Sequence, residues 1–216
     1  MIKIALPKGA TQEAVREFLT RRGIDFSGYH KDARAYGSRS GRKNQLFSKQ
    51  FRHKDIPIQV SIGNYDLGLC GYQWVAEYLT QYPRADIMNL RTLDIPEGAM
   101  YVCCSDAEEP GIAKDILSRM ASRGAIRIVT EFPALAERYA LERRFPDFRI
   151  FPVWGAAEAY PPEGAELAII SVQDENLIES NNLRVLERLF KVEVSLIANR
   201  ELFENKDLST VLDKLV

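Results

Sequence analysis

Two histidines (His30, His53) and three cysteines (Cys70, Cys103, Cys104) are all that 216 residues hold of either type. A Cys/His metal cage has no ligand spacing to rest on, and three thiols make no disulfide framework. Cys103 and Cys104 are adjacent in an apolar run, where strand alternation sends them to opposite faces as small buried residues. That usage suits a reducing compartment. A long apolar span is also missing. Met1 leads directly into strand-like sequence, so neither a signal peptide nor a membrane-crossing helix is expected and the chain reads as cytoplasmic. Nor does one sign of charge dominate. The 29 Lys and Arg against 30 Asp and Glu leave a net −1, and only Arg34–Lys54 gathers basic residues apart from acidic neighbours. No nucleic-acid footprint is expected at chain level.

What is present is a core. With 46% hydrophobic and 27% charged residues, the chain can form one large or two small domains. Short strands and helices alternate. Ile2, Ile4 and Leu6 mark a strand, Pro7–Ala10 a turn, and Thr11 caps a helix Gln12–Arg22 with Ala14, Val15, Phe18 and Leu19 inward. Ile58, Val60 and Ile62 alternate as a strand, and Gln73–Leu79 follows as a helix. Asp86–Leu93 and Ala99–Ser105 read as two strands separated by Asp94–Gly98. Ile112–Ala121 is a helix, Ile126–Thr130 a strand, Pro133–Arg144 a helix and Phe148–Trp154 a strand. Leu167–Val172 is an apolar run fit for a strand buried on both faces. Val185, Leu186, Leu189 and Phe190 mark a helix, Val192–Ala198 a strand and Leu208–Leu215 a last helix. This is the pattern of a predominantly parallel α/β chain. It also looks doubled: Gly63–Leu69 and Gly164–Ile169 share glycine, acid, leucine, small residue and aliphatic in order.

In such a sheet, ligands sit on the loops leaving the C-terminal strand ends. Lys8 and Gly9 in the first of these loops suit an anion, since glycine permits backbone approach and lysine offers a point charge. Gly68 and Gly71 precede a helix start with free N–H groups, or else allow close strand–helix packing. From the Gly- and Arg-rich stretch 27–54, Arg52 is the candidate ligand contact; its other charges read as a solvated loop. The loop after Leu167–Val172 reads Gln173-Asp174-Glu175-Asn176, with Glu179 and Asn181 beyond. It has no glycine and three carboxylates, a poor surface for phosphate.

Several stretches in order resemble one family, the short form of ATP phosphoribosyltransferase. They are Leu6-Pro7-Lys8-Gly9; Arg52 with Asp55-Ile56-Pro57, Asp66–Leu69 and Gly71; and Arg127–Pro133 with Arg138-Tyr139. Gly155, Glu158, Pro162 and Gly164-Ala165 follow, then Leu196–Arg200. The resemblance implies an α/β fold of two periplasmic-binding-protein-like (type II) lobes with a cleft between them. Lobe I would hold residues 1–93 plus about 181–216, and lobe II residues 94–180. It implies the first step of histidine biosynthesis, in which N1 of ATP attacks C1 of phosphoribosyl pyrophosphate and expels pyrophosphate. It further implies Mg²⁺ on the pyrophosphate, a histidyl-tRNA-synthetase-like regulatory subunit, and a homo- or hetero-oligomer. Lys8 and Glu131 would be catalytic. Gly9, Arg52, Asp66, Gly68, Gly71, Gly155, Glu158, Asp174, Glu175 and Asn181 would bind substrate.

The chain departs from the family pattern at the chemistry. Ala10 stands where arginine is usual. Ile170 replaces an acid, Gln173 and Asp174 replace a Ser/Thr pair, Glu175 a glycine and Leu177 a threonine; Asn181 and Leu183 remain. A carboxylate a few ångströms from a phosphate is repelled by about 1 kcal/mol even in water. An alternative reading follows: a homologue that binds another nucleotide or small anionic ligand, or acts on another substrate.

Overall fold

The computed structural model describes residues 1–31, 37–40 and 46–215. Parts of the basic stretch, 32–36 and 41–45, lie outside the described residues, and with them any basic side chain there that could stand in for the arginine missing at Ala10. The chain divides into two compact units, Met1–Pro96 with Glu193–Val216, and Glu97–Val192.

The first unit opens with β1 (Ile2–Pro7), α1 (Gln12–Arg21), β2 (Gly37–Ser40), β3 (Leu46–Phe51), α2 (Ile56–Ser61), β4 (Leu67–Gly71), α3 (Tyr72–Gln81) and the start of β5 (Ile87–Ser105). The second unit takes the rest of β5, then α4 (Ala113–Arg123), β6 (Ile126–Thr130), α5 (Pro133–Glu142), β7 (Phe148–Pro152), β8 (Leu167–Val172), α6 (Asn176–Ser180) and the start of β9 (Leu183–Asn199). The end of β9, α7 (Arg200–Asn205) and α8 (Ser209–Leu215) return to the first unit.

Strand order in the first unit is β2-β3-β1-β4-β9. β1 lies parallel to β3 (Pro7 opposite Phe51) and to β4 (Ala5 opposite Gly68), whereas β2 and β9 run antiparallel to their neighbours. Its strands are buried on both faces. Ile4, Leu6, Leu67, Leu69, Leu196 and Ala198 pack with Val15 and Leu19 of α1 and Val211 and Leu215 of α8. Ala5, Cys70 and Ile197 point the other way, to Ile56 and Val60 of α2 and Val75 of α3. Gly68 is what lets α2 lie so close: a Cβ there would stand 2.7 Å from Ile56 Cγ2 and 2.8 Å from Val60 Cγ2. In the second unit the order is β5-β8-β6-β7, with β6, β7 and β8 parallel and β5 antiparallel to β8. Ala99, Tyr101, Cys103, Ala168, Ile170, Val172 and Ile178 form the core on one face.

Five expectations need correction. The sheets are mixed rather than predominantly parallel, because β5 and β9 run against their neighbours. Residues 58–62 are not a strand but most of α2. Pro57 pre-sets the first helical turn, and the buried pair Ile56 and Val60 is an i, i+4 face, with Ile58 and Ile62 turned to solvent. Residues 185–190 are not a helix but the first half of β9. Their apolar spacing fits a helix, yet α6 has just closed through Asn182 in the left-handed region (φ 53°), and the chain leaves it extended. Asp94–Gly98 does not interrupt β5, which runs through it. Ala14 faces solvent rather than the core, where Gln12 joins Val15 and Leu19.

The doubled sequence has a structural counterpart. In the first unit, Lys3 N donates to Asp66 Oδ2 (2.7 Å) and Asp66 N to Lys3 O (3.0 Å). In the second, Arg127 N donates to Glu166 Oε2 (2.7 Å) and Glu166 N to Arg127 O (3.1 Å). Each acid precedes a strand and clips it to the start of the parallel strand beside it. Each carries a cation: Lys206 Nζ lies 2.7 Å from both oxygens of Asp66, and the Arg127 guanidinium grips Glu166 at 2.7–3.1 Å.

Candidate functional site

In the first unit the C-terminal ends of β3, β1 and β4 release three loops at one edge. Backbone bonds tie them together. Lys8 N donates to Phe51 O (2.9 Å), and Gly71 N donates to His53 Nδ1 (3.2 Å). Tyr29, buried, donates its hydroxyl to Pro7 O (2.7 Å) and fixes the chain just before Lys8. Gly9 adopts φ 106°, a left-handed conformation that excludes most side chains, and the space where a Cβ would stand is open. Lys8 is half-buried, Arg52 is exposed, and Gly71 caps the ten-residue helix α3. Lys8, Gly9, Arg52 and Gly71 thus gather at one edge, two cations beside the open space at Gly9; the Gly71 N–H, expected to be free, is taken by His53.

Asp66 and Gly68 do not join them. Asp66 sits at the opposite, N-terminal end of β4, 2% exposed, spent on Lys3 N and Lys206. Gly68 lies inside β4 beneath α2.

In the second unit the corresponding edge carries the loops after β6, β7 and β8. Thr130, fully buried, donates its hydroxyl to Ile169 O (2.7 Å) and accepts from Phe132 N (2.9 Å), while Val153 N donates to Thr130 O (2.9 Å). Glu131 is held half-buried in the middle of this arrangement. Gly155 (φ 122°) and Ala156 (φ 55°) turn the chain beyond β7 so that Ala157 is buried and Glu158 stays half-buried in a short 3-10 turn. Val153 packs on the cluster holding Ile170, Val172 and Ile178, so the loops after β7 and β8 are neighbours.

The loop after β8 satisfies itself. Asp174 Oδ1 accepts from Asn176 N (3.0 Å), occupying an N–H that a phosphate would otherwise receive. Glu175 accepts the hydroxyl of Tyr101 from β5; burial first, and then this carboxylate, push the phenol above its ordinary pKa. Asn181 donates Nδ2 to Leu177 O (2.8 Å) and closes α6 instead of reaching outward. Glu131, Gly155, Asp174 and Glu175 therefore gather at one edge, while Asn181 serves its own helix. Among the described residues no group of three or more His, Cys, Asp or Glu could hold a metal ion.

Two residues at these edges escaped the sequence reading. Trp154, next to Gly155, is 85% exposed, an indole presented to solvent at this edge. Its position at a strand's end was legible; its exposure was not. His53 hid inside a basic stretch whose charges look uniformly solvated.

Comparison with known proteins adds the family. The model of HisG, ATP phosphoribosyltransferase, matches residues 52–216. The ATP phosphoribosyltransferase of Chlorobaculum parvum is 25% identical over 217 residues, covering 95% of this chain and 66% of the relative. The chain thus spans just under two thirds of that relative's length. That of Thermotoga petrophila is 26% identical, covering 100% of this chain and 93% of the relative. Among solved structures, an ATP phosphoribosyl transferase (HisG:HisZ) complex from Thermotoga maritima superposes with a TM-score of 0.78 at 22% identity, covering 100% of this chain and 96% of the other. The periplasmic aliphatic sulphonate-binding protein SsuA of Escherichia coli shares the fold at 14% identity and TM-score 0.59, covering 99% and 70%. With everything from Arg52 to Val216 matched by one family model, the rewritten Gln173–Leu177 loop included, the chain belongs to the ATP phosphoribosyltransferase family.

Proposed function

We propose that this chain carries out the family's reaction, transferring phosphoribose from phosphoribosyl pyrophosphate to N1 of ATP. The observation that carries the reading is the family match across residues 52–216, together with Lys8 and Arg52 gathered at one strand edge. In the reaction N1 of ATP forms a bond to C1 of the ribose as the bond from C1 to pyrophosphate oxygen breaks, with inversion, and the electron pair leaves on pyrophosphate. The leaving group is already good, so positioning and charge neutralisation supply most of the rate. Lys8, on a loop whose glycine leaves open space, meets the pyrophosphate. Arg52 and the Gly71 start of α3 line the ATP side. Trp154 offers a π-face on which a base or sugar stacks. To Glu131 we assign the stabilisation of cationic character that develops on the ribose.

The described residues provide no cage for Mg²⁺. The ion fits as one carried in by the substrate's own phosphates, keeping most of its waters and adding positive charge at the leaving group. A histidyl-tRNA-synthetase-like regulatory partner belongs to the same reading, in line with the HisG:HisZ complex from Thermotoga maritima.

Calorimetric titration with phosphoribosyl pyrophosphate and Mg²⁺, beside one with ATP, tests the proposal. Saturable binding of both, followed by formation of the N1-ribosylated nucleotide once the regulatory subunit is added, is the expected result. Binding of ATP with no response to the sugar pyrophosphate would overturn it.

A further inference from the structure

The second unit holds a cavity of about 370 Å³ at the other end of its strands from the loops described above. One wall is a face of α4, where Ala113, Leu117 and Ala121 recur every fourth residue. Facing it are Phe145 and Pro146, just before β7 begins. The volume lies at the small end of the range for small-molecule pockets, and apolar and polar side chains share the lining about equally. Lys114, Arg143, Arg144 and Glu187 bring charge to it. Arg143 and Glu187 neutralise each other: the guanidinium donates to Glu187 Oε1 and lies 5.4 Å from the Tyr139 ring centroid. Lys114 and Arg144 are different. Among the described residues no carboxylate pairs with either. The pocket therefore has an excess of two positive charges over an apolar floor.

Arg144 also occupies a costly position. Helix α5 ends in a Schellman turn, with Arg144 N donating to Leu141 O (3.0 Å) and Phe145 N to Ala140 O (3.0 Å). The turn places Arg144 at φ 56°, the left-handed conformation that glycine adopts without steric cost. Arginine here gains nothing for the turn. What it adds is a guanidinium at the pocket mouth, able to grip a carboxylate or phosphate with two parallel bonds.

We propose that this cavity is a second binding site, for a small molecule with an anionic head and an apolar or aromatic body. Lys114 and Arg144 hold the head, with the Ser118 hydroxyl beside them. The body lies between Leu117 and Phe145. The site is separate from the strand edge that carries Glu131, Asp174 and Glu175, and it does not depend on the reaction proposed for that edge.

Amide NMR titrations of the full chain test this, with benzoate and phenyl phosphate as probes and inorganic phosphate at matched ionic strength as reference. The expected result is saturable shifts clustered at Lys114, Ser118 and Phe145 with at least one aryl probe, and affinity at least tenfold weaker in Lys114→Gln and in Arg144→Gly. The stronger probe then identifies the head as carboxylate or phosphate. Arg144→Gly should at the same time raise Tm, by about 2–4 °C for a chain of this size, because the left-handed turn is relieved. That separates a binding loss from a folding loss. Shifts reproduced in full by inorganic phosphate, shifts unchanged in both variants, or resonances at these amides that move only with protein concentration, as they would if a second copy filled the groove, would each overturn the proposal.

Discussion

The two units use one scaffold to opposite electrostatic ends. In both, an acid clips the start of one parallel strand to its neighbour and is neutralised by a cation: Asp66 with Lys206, Glu166 with Arg127. In both, three loops leave one strand edge. The first unit places Lys8 and Arg52 there, beside the open space at Gly9. The second places Glu131, Asp174 and Glu175 there, and the loop after β8 turns one carboxylate onto its own Asn176 N–H and another onto the Tyr101 hydroxyl of β5. The anchor is a requirement of the strands, while the loop residues bond only locally or to a neighbouring strand. A scaffold of this kind can keep its fold while one of its edges is rewritten.

The largest effect expected from breaking this comparison is on stability. Asp66→Ala leaves Lys3 N and Lys206 without their shared acceptor and should cost about 3 kcal/mol, read by urea unfolding. Affinity for ATP, measured on the remaining folded protein, should be unchanged; a loss of affinity with normal stability would give Asp66 a ligand role instead. Next, Lys8→Ala should lower kcat/KM by about a hundredfold, or about 2.7 kcal/mol, with little change in Tm, in a steady-state assay with the regulatory subunit. Unchanged turnover would remove Lys8 from the site. The comparison can also be sharpened by making the second edge hospitable to phosphate. Asp174→Thr combined with Glu175→Gly frees Asn176 N and removes two negative charges. It should tighten phosphoribosyl pyrophosphate about tenfold by calorimetry. No gain would mean the 5-phosphate is bound elsewhere.

The smallest effect concerns the second anchor. Burial alone would raise the pKa of Glu166, but the Arg127 side-chain and backbone hydrogen bonds outweigh it and hold the carboxyl below its ordinary value. A carboxylate depressed by folding stabilises above its unfolded pKa, near 4.3, and loses that contribution as pH falls through the lower folded value. The pair is partly exposed, so about 1 kcal/mol remains after solvent screening. Glu166→Gln should therefore be less stable than the parent at pH 7 and equal to it near pH 2. A constant difference across that range would show that charge is not what the pair contributes.

How far all this was legible follows from local physics. The buried strand Leu167–Val172 announces itself by an unbroken apolar run, and the helix after Lys8-Gly9 by its periodic apolar face. The doubled glycine–acid–leucine stretch was visible too, but its meaning was not. That Asp66 and Glu166 are spent on backbone N–H groups depends on Lys3 and Arg127, far away in sequence, and so Asp66 reads as a ligand residue until the strands are aligned. Ile58–Ile62 and Val185–Phe190 misled for a related reason. Short apolar sets fit periods of 2 and 3.6 alike, and a proline at a first helical turn or a left-handed asparagine decides between them. Trp154 was plain in the sequence as a residue and invisible as a surface, since exposure is a property of everything around it.

The chain leaves the first unit at Pro96 and comes back to it at Glu193, so order of synthesis differs from order of completion. On the ribosome β4 emerges early, yet one side of it stays without its hydrogen-bonding neighbour until β9 supplies Leu196, Ile197 and Ala198. The second unit, continuous in sequence, has all its strands out before then. The part of the protein made first is therefore the part finished last, and throughout the interval it carries an open strand edge of the kind that invites pairing with another nascent chain.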